Sequence, residues 1–274
     1  MKKKKQPIAL DKVVTYPDLI FLDSGGYECN KDQDVSDIGL YKPEPYEWNE
    51  AMYRTVIEDW STKIPTVLIS FDHPSVRCPI QEQIKKATNL FAKKTGILKE
   101  ILIKPESKDS QHIKSDSVIK HLKLLSAFDI IGFTEKELGS SVLKKMINIA
   151  TIRRIMDKKG LHMPIHIFGS LDTVTTPLYY LSGADIFDGL SWLRFTFING
   201  NSMYIDSSGP IVYGAQEDYR KVWIRTVYSN YSYIRRLTLD LEKFQSRVHF
   251  DVFGQNADFM KRTYEDLIEK VGGD

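Results

Sequence analysis

Short apolar runs of strand length recur along the chain and alternate with segments of helical periodicity. Six runs are predicted to be strands: residues 18–23, 66–72, 101–104, 128–133, 164–169 and 184–188. Because these runs are apolar throughout rather than alternating, they predict a parallel sheet that is buried on both faces.

Between the runs, apolar residues return at the spacing of one helix face. Helices are predicted over residues 81–94, 118–125, 140–156 and 173–181, with Ser140 or Ser141 as a suitable N-cap of the third. Further along, Asn199-Gly200 predicts the turn of a β-hairpin, and residues 219–271 are predicted to be mostly helical. The polar residues 29–48 are predicted to form a long loop after the first strand.

Repetition of strand and helix over 274 residues favours a (β/α)₈ TIM barrel over an open, doubly wound sheet. No GxGxxG or GxxxxGKS motif supports a nucleotide-binding open sheet. No Gly-, Pro- or Ser-rich linker divides the chain, so we expect one domain. Its core would span residues 18–215, and its helical C-terminal part residues 216–274.

Composition excludes several classes of protein. The 38 Lys and Arg residues nearly balance the 36 Asp and Glu residues, so no global positive field indicates a nucleic acid partner. Cys29 and Cys78 are too few for a disulfide scaffold or for a four-cysteine zinc site. No run approaches the ~20 apolar residues of a membrane span, and no apolar region follows the basic N-terminus. We therefore predict a cytoplasmic protein without membrane contact.

Three predicted strands end in an aspartate: Asp23, Asp72 and Asp188. The carboxyl ends of barrel strands converge on one face, where such acids would repel one another. One ionised and one protonated carboxylate can attack a sugar carbon and assist the leaving group. The alternative for each acid alone is a helix N-cap.

The order of several motifs resembles the tRNA-guanine transglycosylase family. Residues 23–27 (DSGGY) resemble its DSGG-aromatic motif, and residues 70–72 (SFD) resemble its second aspartate. Residues 131–133 (IGF), followed by Glu137, are similar to its substrate loop, and residues 167–169 (IFG) are similar to a strand of its pocket. Residues 183–188 (GADIFD) are close to its nucleophile motif, and an arginine (Arg194) and an NG hairpin follow.

The resemblance implies exchange of guanine for a 7-deazaguanine base in a polynucleotide. Asp188 would attack C1′ of the sugar, and Asp23 would act as general acid and base. Asp72 would accept hydrogen bonds from the guanine-like edge. Phe168 and Tyr27 would sandwich the base, and Ser24 with the backbone around Gly132 would complete the pocket. The further binding residues implied are Gly25, Phe133, Gly169 and Arg194.

Departures from the family concern its tRNA-docking parts. No cysteine follows Cys78, so the family's zinc site is missing, and we predict neither a metal nor another cofactor. The glutamine-bearing strand motif is not recognisable near Ile103-Lys104-Pro105, and His73 replaces the family's Cys or Glu. Such a reduced pattern resembles the branch that inserts 7-deazaguanines, such as a preQ0-type precursor, into DNA.

Other residues leave alternatives open. His73 would orient the base or a phosphate, or serve neither role. His166, inside a predicted strand, is expected to be a packed core residue rather than a ligand. Arg235 and Arg236 lie among aromatic residues of the C-terminal helix. Their surface either grips a nucleic acid backbone or is an amphipathic helix whose tyrosines pack on the barrel.

The sequence therefore predicts a transglycosylase that acts on DNA rather than tRNA. One alternative is the same exchange on tRNA, with a partner subunit or a second copy of the chain supplying docking surface. Another is a non-catalytic nucleic-acid-binding barrel of a modification complex. A third is an enzyme of free nucleosides.

Overall fold

The computed structural model describes residues 17–26, 48–73 and 75–272. Six parallel strands and the helices between them form its main part. In chain order these elements are β1 (Ile20–Leu22), α1 (Glu50–Asp59), β2 (Thr66–Ile69), α2 (Ile80–Phe91), β3 (Leu98–Ile103), α3 (Ser115–Leu125), β4 (Ile130–Thr134), α4 (Val142–Lys158), β5 (Ile165–Phe168), α5 (Thr175–Leu181) and β6 (Ile186–Phe187). A second part consists of β7 (Phe195–Ile198), β8 (Asn201–Tyr204), α6 (Ile205–Tyr213), α7 (Tyr219–Arg247) and α8 (Ala257–Val271).

The strands of the parallel sheet lie side by side in the order of the chain, from β1 to β6. A doubly wound sheet would instead reverse its strand order at a switch point. The sheet is curled, because the rings of Phe21 on β1 and His166 on β5 have centroids only 5.7 Å apart. In a flat sheet, four strand spacings would separate these two strands by about 19 Å. The predicted α/β class is confirmed, with six parallel strands in the described residues.

The two faces of the sheet differ in chemistry. Leu68, Ile101, Ile131 and Ile165 project outward and join the buried side chains of the helices in one hydrophobic core. On the inner, concave face, Leu102, Gly132 and His166 are in register across β3, β4 and β5. Its residues include Glu100, Gly132 and His166. The hydrophobic core therefore lies on the outer side of the sheet, and the inner face contains buried polar side chains such as Glu100 and His166.

Most predicted elements are present, with shifted ends. Ser141 is the N-cap of α4 and accepts a hydrogen bond from the Lys144 N–H. The hairpin of β7 and β8 turns at Asn199 and Gly200, which have φ angles of 49° and 72°. Two helices were not predicted. α1 lies in a stretch for which the sequence predicts no element, and α6 begins where the second hairpin strand is predicted to continue.

The C-terminal helices pack on the rest of the chain. α8 contacts α4 and α5, and its Met260 and Leu267 belong to the main hydrophobic core. α7 packs against β7 and α6. Within residues 17–26, 48–73 and 75–272, no helix combines the length and the apolar composition needed to cross a membrane.

Candidate active site

The loop after β1 is fixed by the wholly buried side chain of Ser24. Its Oγ accepts hydrogen bonds from the Asp72 N–H at 3.0 Å and from the Gly26 N–H at 3.3 Å. Gly25 has a φ of +64°, and a Cβ on Gly26 would lie 1.9 Å from the carbonyl oxygen of Asp72. The Ser-Gly-Gly sequence therefore lets this loop dock on the end of β2, against the backbone of Asp72.

α1 supplies a second clamp between the same two strands. The Tyr53 hydroxyl lies 2.7 Å from the Ile69 carbonyl oxygen and 3.0 Å from that of Leu22. Burial raises the pKa of Tyr53, so the phenol keeps the proton with which it donates. The Trp48 indole N–H donates to the Ser24 carbonyl at 2.7 Å. These contacts hold the carboxyl ends of β1 and β2 together.

Asp23, the predicted acid–base group, is exposed just after β1. Its Oδ1 accepts a hydrogen bond of 2.7 Å from the Ser24 N–H. Phe21, two residues earlier, lies on the inner face against His166, so Asp23 follows at the rim of that face. Tyr27, the predicted stacking partner of the base, lies outside the described residues.

Asp72 belongs to a buried ion network. The Lys104 Nζ lies 3.1 Å from its Oδ1, 3.2 Å from its Oδ2 and 2.7 Å from Oε2 of Glu137. Lys104 also donates to the Thr134 hydroxyl, and Arg77 Nη2 lies 3.3 Å from Oε1 of Glu137. The ammonium group thus fixes the Asp72 carboxylate and offsets its charge. Repulsion among the three aspartates, expected from their positions alone, is reduced by this cation.

Gly132 leaves room that two other side chains fill. A Cβ at this position would lie 2.5 Å from Oε1 of Glu100 and 2.6 Å from Cε2 of Phe168. The predicted pair Gly132 and Phe168 is therefore in contact on the inner face. Phe133, also predicted to bind substrate, is fully buried on the outer face in the hydrophobic core. The structure does not bring Phe133 to the site.

His166 connects a buried glutamate with the predicted nucleophile. Its Nδ1 lies 2.9 Å from Oε1 of the fully buried Glu100, and its Nε2 lies 3.7 Å from Oδ1 of Asp188. The Phe168 ring stacks on the imidazole at 3.9 Å between centroids and 27° between planes. We call Glu100, His166 and Asp188 the carboxylate–imidazole relay. His166 is packed and hydrogen-bonded, as predicted, but its Nε2 also faces the predicted nucleophile, Asp188.

The relay changes the charge of the imidazole. Burial opposes a charge on His166, but the carboxylates of Asp188 and Glu100 outweigh it and raise the pKa of His166 to about 9. At neutral pH the ring is therefore an imidazolium between two carboxylates. His166 then has an N–H on each nitrogen, one for Glu100 and one directed toward Asp188.

Asp188 follows β6 with its side chain about half exposed (55%). Its Oδ1 accepts a hydrogen bond of 2.9 Å from the Gly169 N–H. Gly169 has a φ of +76°, a left-handed conformation that glycine adopts without strain. Arg194 lies at the end of the short 3₁₀ turn Ser191–Leu193, where its carbonyl accepts from the Ile205 N–H.

His73 is turned into its own loop. Its Nδ1 accepts a hydrogen bond of 3.3 Å from the Val76 N–H, and its ring packs edge-on against Phe71. A polar cleft lies next to this loop, lined by several basic side chains. The basic side chains of its lining are Arg77, Lys108, His112 and Lys136.

The exposed face of α7 contains the two predicted nucleic-acid contacts. The Arg235 guanidinium lies over the Tyr231 ring at 5.9 Å, and the Arg236 Nε lies 3.6 Å from Oδ2 of Asp240. Tyr231 is exposed, and Tyr228 is 73% exposed. Tyr228 and Tyr231 therefore do not pack on the barrel, whereas Phe244 of the same helix is buried. Contact of this face with a nucleic acid stays a prediction.

The buried face of α7 is anchored to the segment after Asp188. The Asn230 side-chain amide is fully buried and donates to the carbonyl groups of Trp192 and Phe195 at 2.7 and 2.6 Å. Its Oδ1 accepts from the Phe197 N–H at 2.8 Å. The helix that exposes Arg235 is therefore joined to the chain that leaves Asp188.

Three residues of the site were not identified from the sequence: Glu100, Lys104 and His166. A signal exists for two of them, because Glu100 lies within β3 and Lys104 directly follows it, and their spacing of four residues places them on one face. For His166 the position within a strand was clear, but its pairing with Glu100 joins residues 66 positions apart. No local pattern predicts such a pair.

Among the residues that the structure describes, no three His, Cys, Asp or Glu side chains form a group that could hold a metal ion. The chain matches no family model and no curated protein.

Proposed function

We propose that the protein exchanges guanine for a 7-deazaguanine base in a polynucleotide, through a covalent aspartyl-glycosyl intermediate. The strongest support is the geometry of Asp188. This partly exposed carboxylate follows a strand of a curled parallel sheet, accepts the Gly169 N–H and faces a buried imidazolium. Such an oriented carboxylate suits attack on a sugar carbon.

The scaffold supports the same proposal. Six consecutive parallel strands with a concave inner face fit the first six strands of a (β/α)₈ barrel. In this interpretation Asp23, Asp72 and Asp188 come from the first, second and sixth strands, at the end where barrel enzymes place their chemistry.

In the first half of the proposed reaction, Asp188 forms a bond to C1′ while the bond from C1′ to N9 of guanine breaks. The bonding electron pair leaves with N9, and Asp23 supplies the proton that the departing base takes up. In the second half, Asp23 accepts the N9 proton of the incoming base, which attacks C1′ and releases the Asp188 carboxylate. No proton or electron is gained or lost over the cycle.

Base recognition is assigned to Asp72 and Phe168. The side chain of Asp72 is 11% exposed and fixed by Lys104, yet its oxygens have further lone pairs for the N1–H and amino group of guanine. Phe168 has one face covered by the His166 ring. Its remaining surface can stack on the flat base, which tolerates guanine and 7-deazaguanine alike.

DNA is proposed as the substrate because the basic surfaces are local rather than shaped around a folded RNA. The α7 face with Arg235 and Tyr228, and the cleft with Arg77 and Lys108, can contact phosphates and unstacked bases. The target base has to leave its stack, which costs a few kcal/mol in a duplex and less in a single strand.

The first test follows incorporation of labelled guanine, or of a labelled 7-deazaguanine, into matched single-stranded DNA, tRNA and free deoxyguanosine at one ionic strength. We expect incorporation to be fastest into DNA. Faster incorporation into tRNA would replace the proposed substrate with tRNA. Nucleic acid binding without any incorporation would favour the non-catalytic barrel.

The second test concerns the α7 face. The double substitution Arg235→Ala/Arg236→Ala should weaken DNA binding and lower the slope of log Kd against log salt by about 1.4, which corresponds to two lost phosphate contacts on a single strand. Binding of the free base, measured by calorimetry, should not change, because these arginines lie on a solvent-exposed helix face.

A matched control removes two exposed positive charges elsewhere. Lys158 and Lys159 lie at the end of α4 and are exposed. Lys158→Ala/Lys159→Ala should leave both the affinity and the salt slope unchanged. An equal loss in both double variants would mean that net charge, not the α7 face, determines binding.

A further inference from the structure

In the carboxylate–imidazole relay, each nitrogen of the His166 ring faces a different carboxylate. Glu100 is fully buried on β3 and faces Nδ1 of His166, while Nε2 of the same ring faces Asp188. Within the described residues, the other groups around the ring are Phe21 from β1 and Phe168 from β5, with Gly132 beside Glu100 and Phe168. Glu100 and Asp188 are thus the charged groups that face His166 there.

The two oxygens of Asp188 are not equivalent. Oδ1 accepts the Gly169 N–H at 2.9 Å and lies 3.7 Å from Nε2 of His166. No hydrogen bond from the described part of the chain reaches Oδ2. Among the described contacts, Oδ2 is therefore the oxygen left for attack on C1′, while Oδ1 lies next to a positive charge.

We propose that His166 is a positioning residue whose imidazolium stabilises the Asp188 carboxylate as the leaving group in the second half of the exchange. This inference rests on the function proposed above. When the bond from C1′ to Oδ2 breaks, its electron pair returns to Asp188, and the negative charge forms beside Nε2–H of His166. The imidazolium proton stays on His166 throughout, and Glu100 holds the ring in place.

Loss of the imidazolium charge should change the rate of ester breakdown relative to the rate of ester formation. In the covalent intermediate Asp188 is a neutral ester, so the imidazolium favours breakdown of the ester over its persistence. Without that charge, the trapped adduct should accumulate while exchange slows. A loss of exchange of roughly 10- to 100-fold is expected, by analogy with the loss when a residue that orients a metal ligand from the outer shell is removed.

The variants compared are His166→Gln and Glu100→Gln/His166→Gln, since the second leaves no buried carboxylate unpaired. For both, the fraction of protein trapped as a protein–DNA adduct on denaturing gels should rise while incorporation of labelled guanine falls. If exchange falls and the trapped fraction falls with it, His166 does not act on ester breakdown and the proposal is wrong. Unchanged exchange in the doubly substituted protein would also overturn it.

A second measurement does not depend on catalysis. In an NMR titration of the histidine rings, the resonance that His166→Gln removes should titrate near pH 9, because two carboxylates raise the pKa of His166. Asp188→Asn should lower this pKa, and the control Asp185→Asn, at the other end of β6, should not. Insensitivity to Asp188→Asn would disprove the pairing.

The two measurements separate the possible failures. If wild-type protein incorporates no base into any polynucleotide, the proposed function fails, and the leaving-group role fails with it even if the titration confirms the pairing. If wild-type protein does exchange bases and His166 titrates as an ordinary histidine, only the relay fails. As the pH rises through about 9, His166 loses its proton, so the wild-type protein should then accumulate adduct as His166→Gln does at neutral pH.

Discussion

Asp188→Asn is expected to abolish base exchange, by roughly 10⁴-fold or more, which is the scale of loss when a nucleophile is removed from a covalent mechanism. The amide nitrogen and oxygen cannot form the glycosyl ester. The fold should persist, because the side chain is about half exposed and the Asn oxygen can still accept the Gly169 N–H. Incorporation of labelled guanine measures the loss of exchange, and trapping of an adduct on denaturing gels measures the loss of the glycosyl ester.

The same six-residue stretch provides the control. Asp185 forms an ion pair with Arg153 and accepts the Ile165 N–H at 2.8 Å, so it stabilises the start of β5 and β6. The Asp185→Asn protein should still form the trapped adduct and retain most of the exchange rate, with a small loss of folding stability. Full exchange by Asp188→Asn would remove this residue from the role of nucleophile.

Lys104→Met should destabilise the protein by about 3–5 kcal/mol, because it leaves buried carboxylates without their cation. The Lys104 side chain is about 10% exposed and contacts both Asp72 and Glu137. In the variant, Glu137 still has Arg77 as a partner. Asp72 loses Lys104, the described residue that contacts both of its carboxylate oxygens. Urea unfolding followed by circular dichroism gives the change in the free energy of unfolding.

Two comparisons make this result specific. Lys86→Met breaks the exposed pair with Glu82, for which a cost below about 1 kcal/mol is expected. Lys104→Met/Asp72→Asn should recover part of the stability, because the remaining amide is less costly to bury than a charge. If Lys104→Met is no more destabilising than Lys86→Met, the buried ion network does not contribute to folding.

The sheet could be predicted because its strands are local features. Each apolar run has its own length and its own boundaries, and the six strands lie where those runs are. α1 was missed although Tyr53 and Ile57 have helical spacing, because its tertiary role, the clamp on Leu22 and Ile69, has no local signal. The number of strands in a closed barrel likewise depends on contacts between distant strands.

The site could be predicted only where one short stretch contains the chemistry. The motifs around Asp23 and Asp188 place their acids at strand ends, and the structure has both acids there. The cations beside the acids came from other strands, so Lys104 and His166 were not assigned to the site. Phe133 shows the opposite error, since it neighbours Gly132 in sequence but faces the other side of the sheet.

The alternation of faces along β4 also bears on how this scaffold can be evolved. Gly132 borders the inner face, and its neighbour Phe133 fills the hydrophobic core. A library that randomises inner-face positions such as Leu102 and Phe168 would vary the pocket without opening cavities beneath the helices. Substitutions that reduce Phe133 would instead cost about 3–5 kcal/mol each. What the inner face binds can therefore be varied at one set of positions, while the hydrophobic core contributed by the other set is left in place.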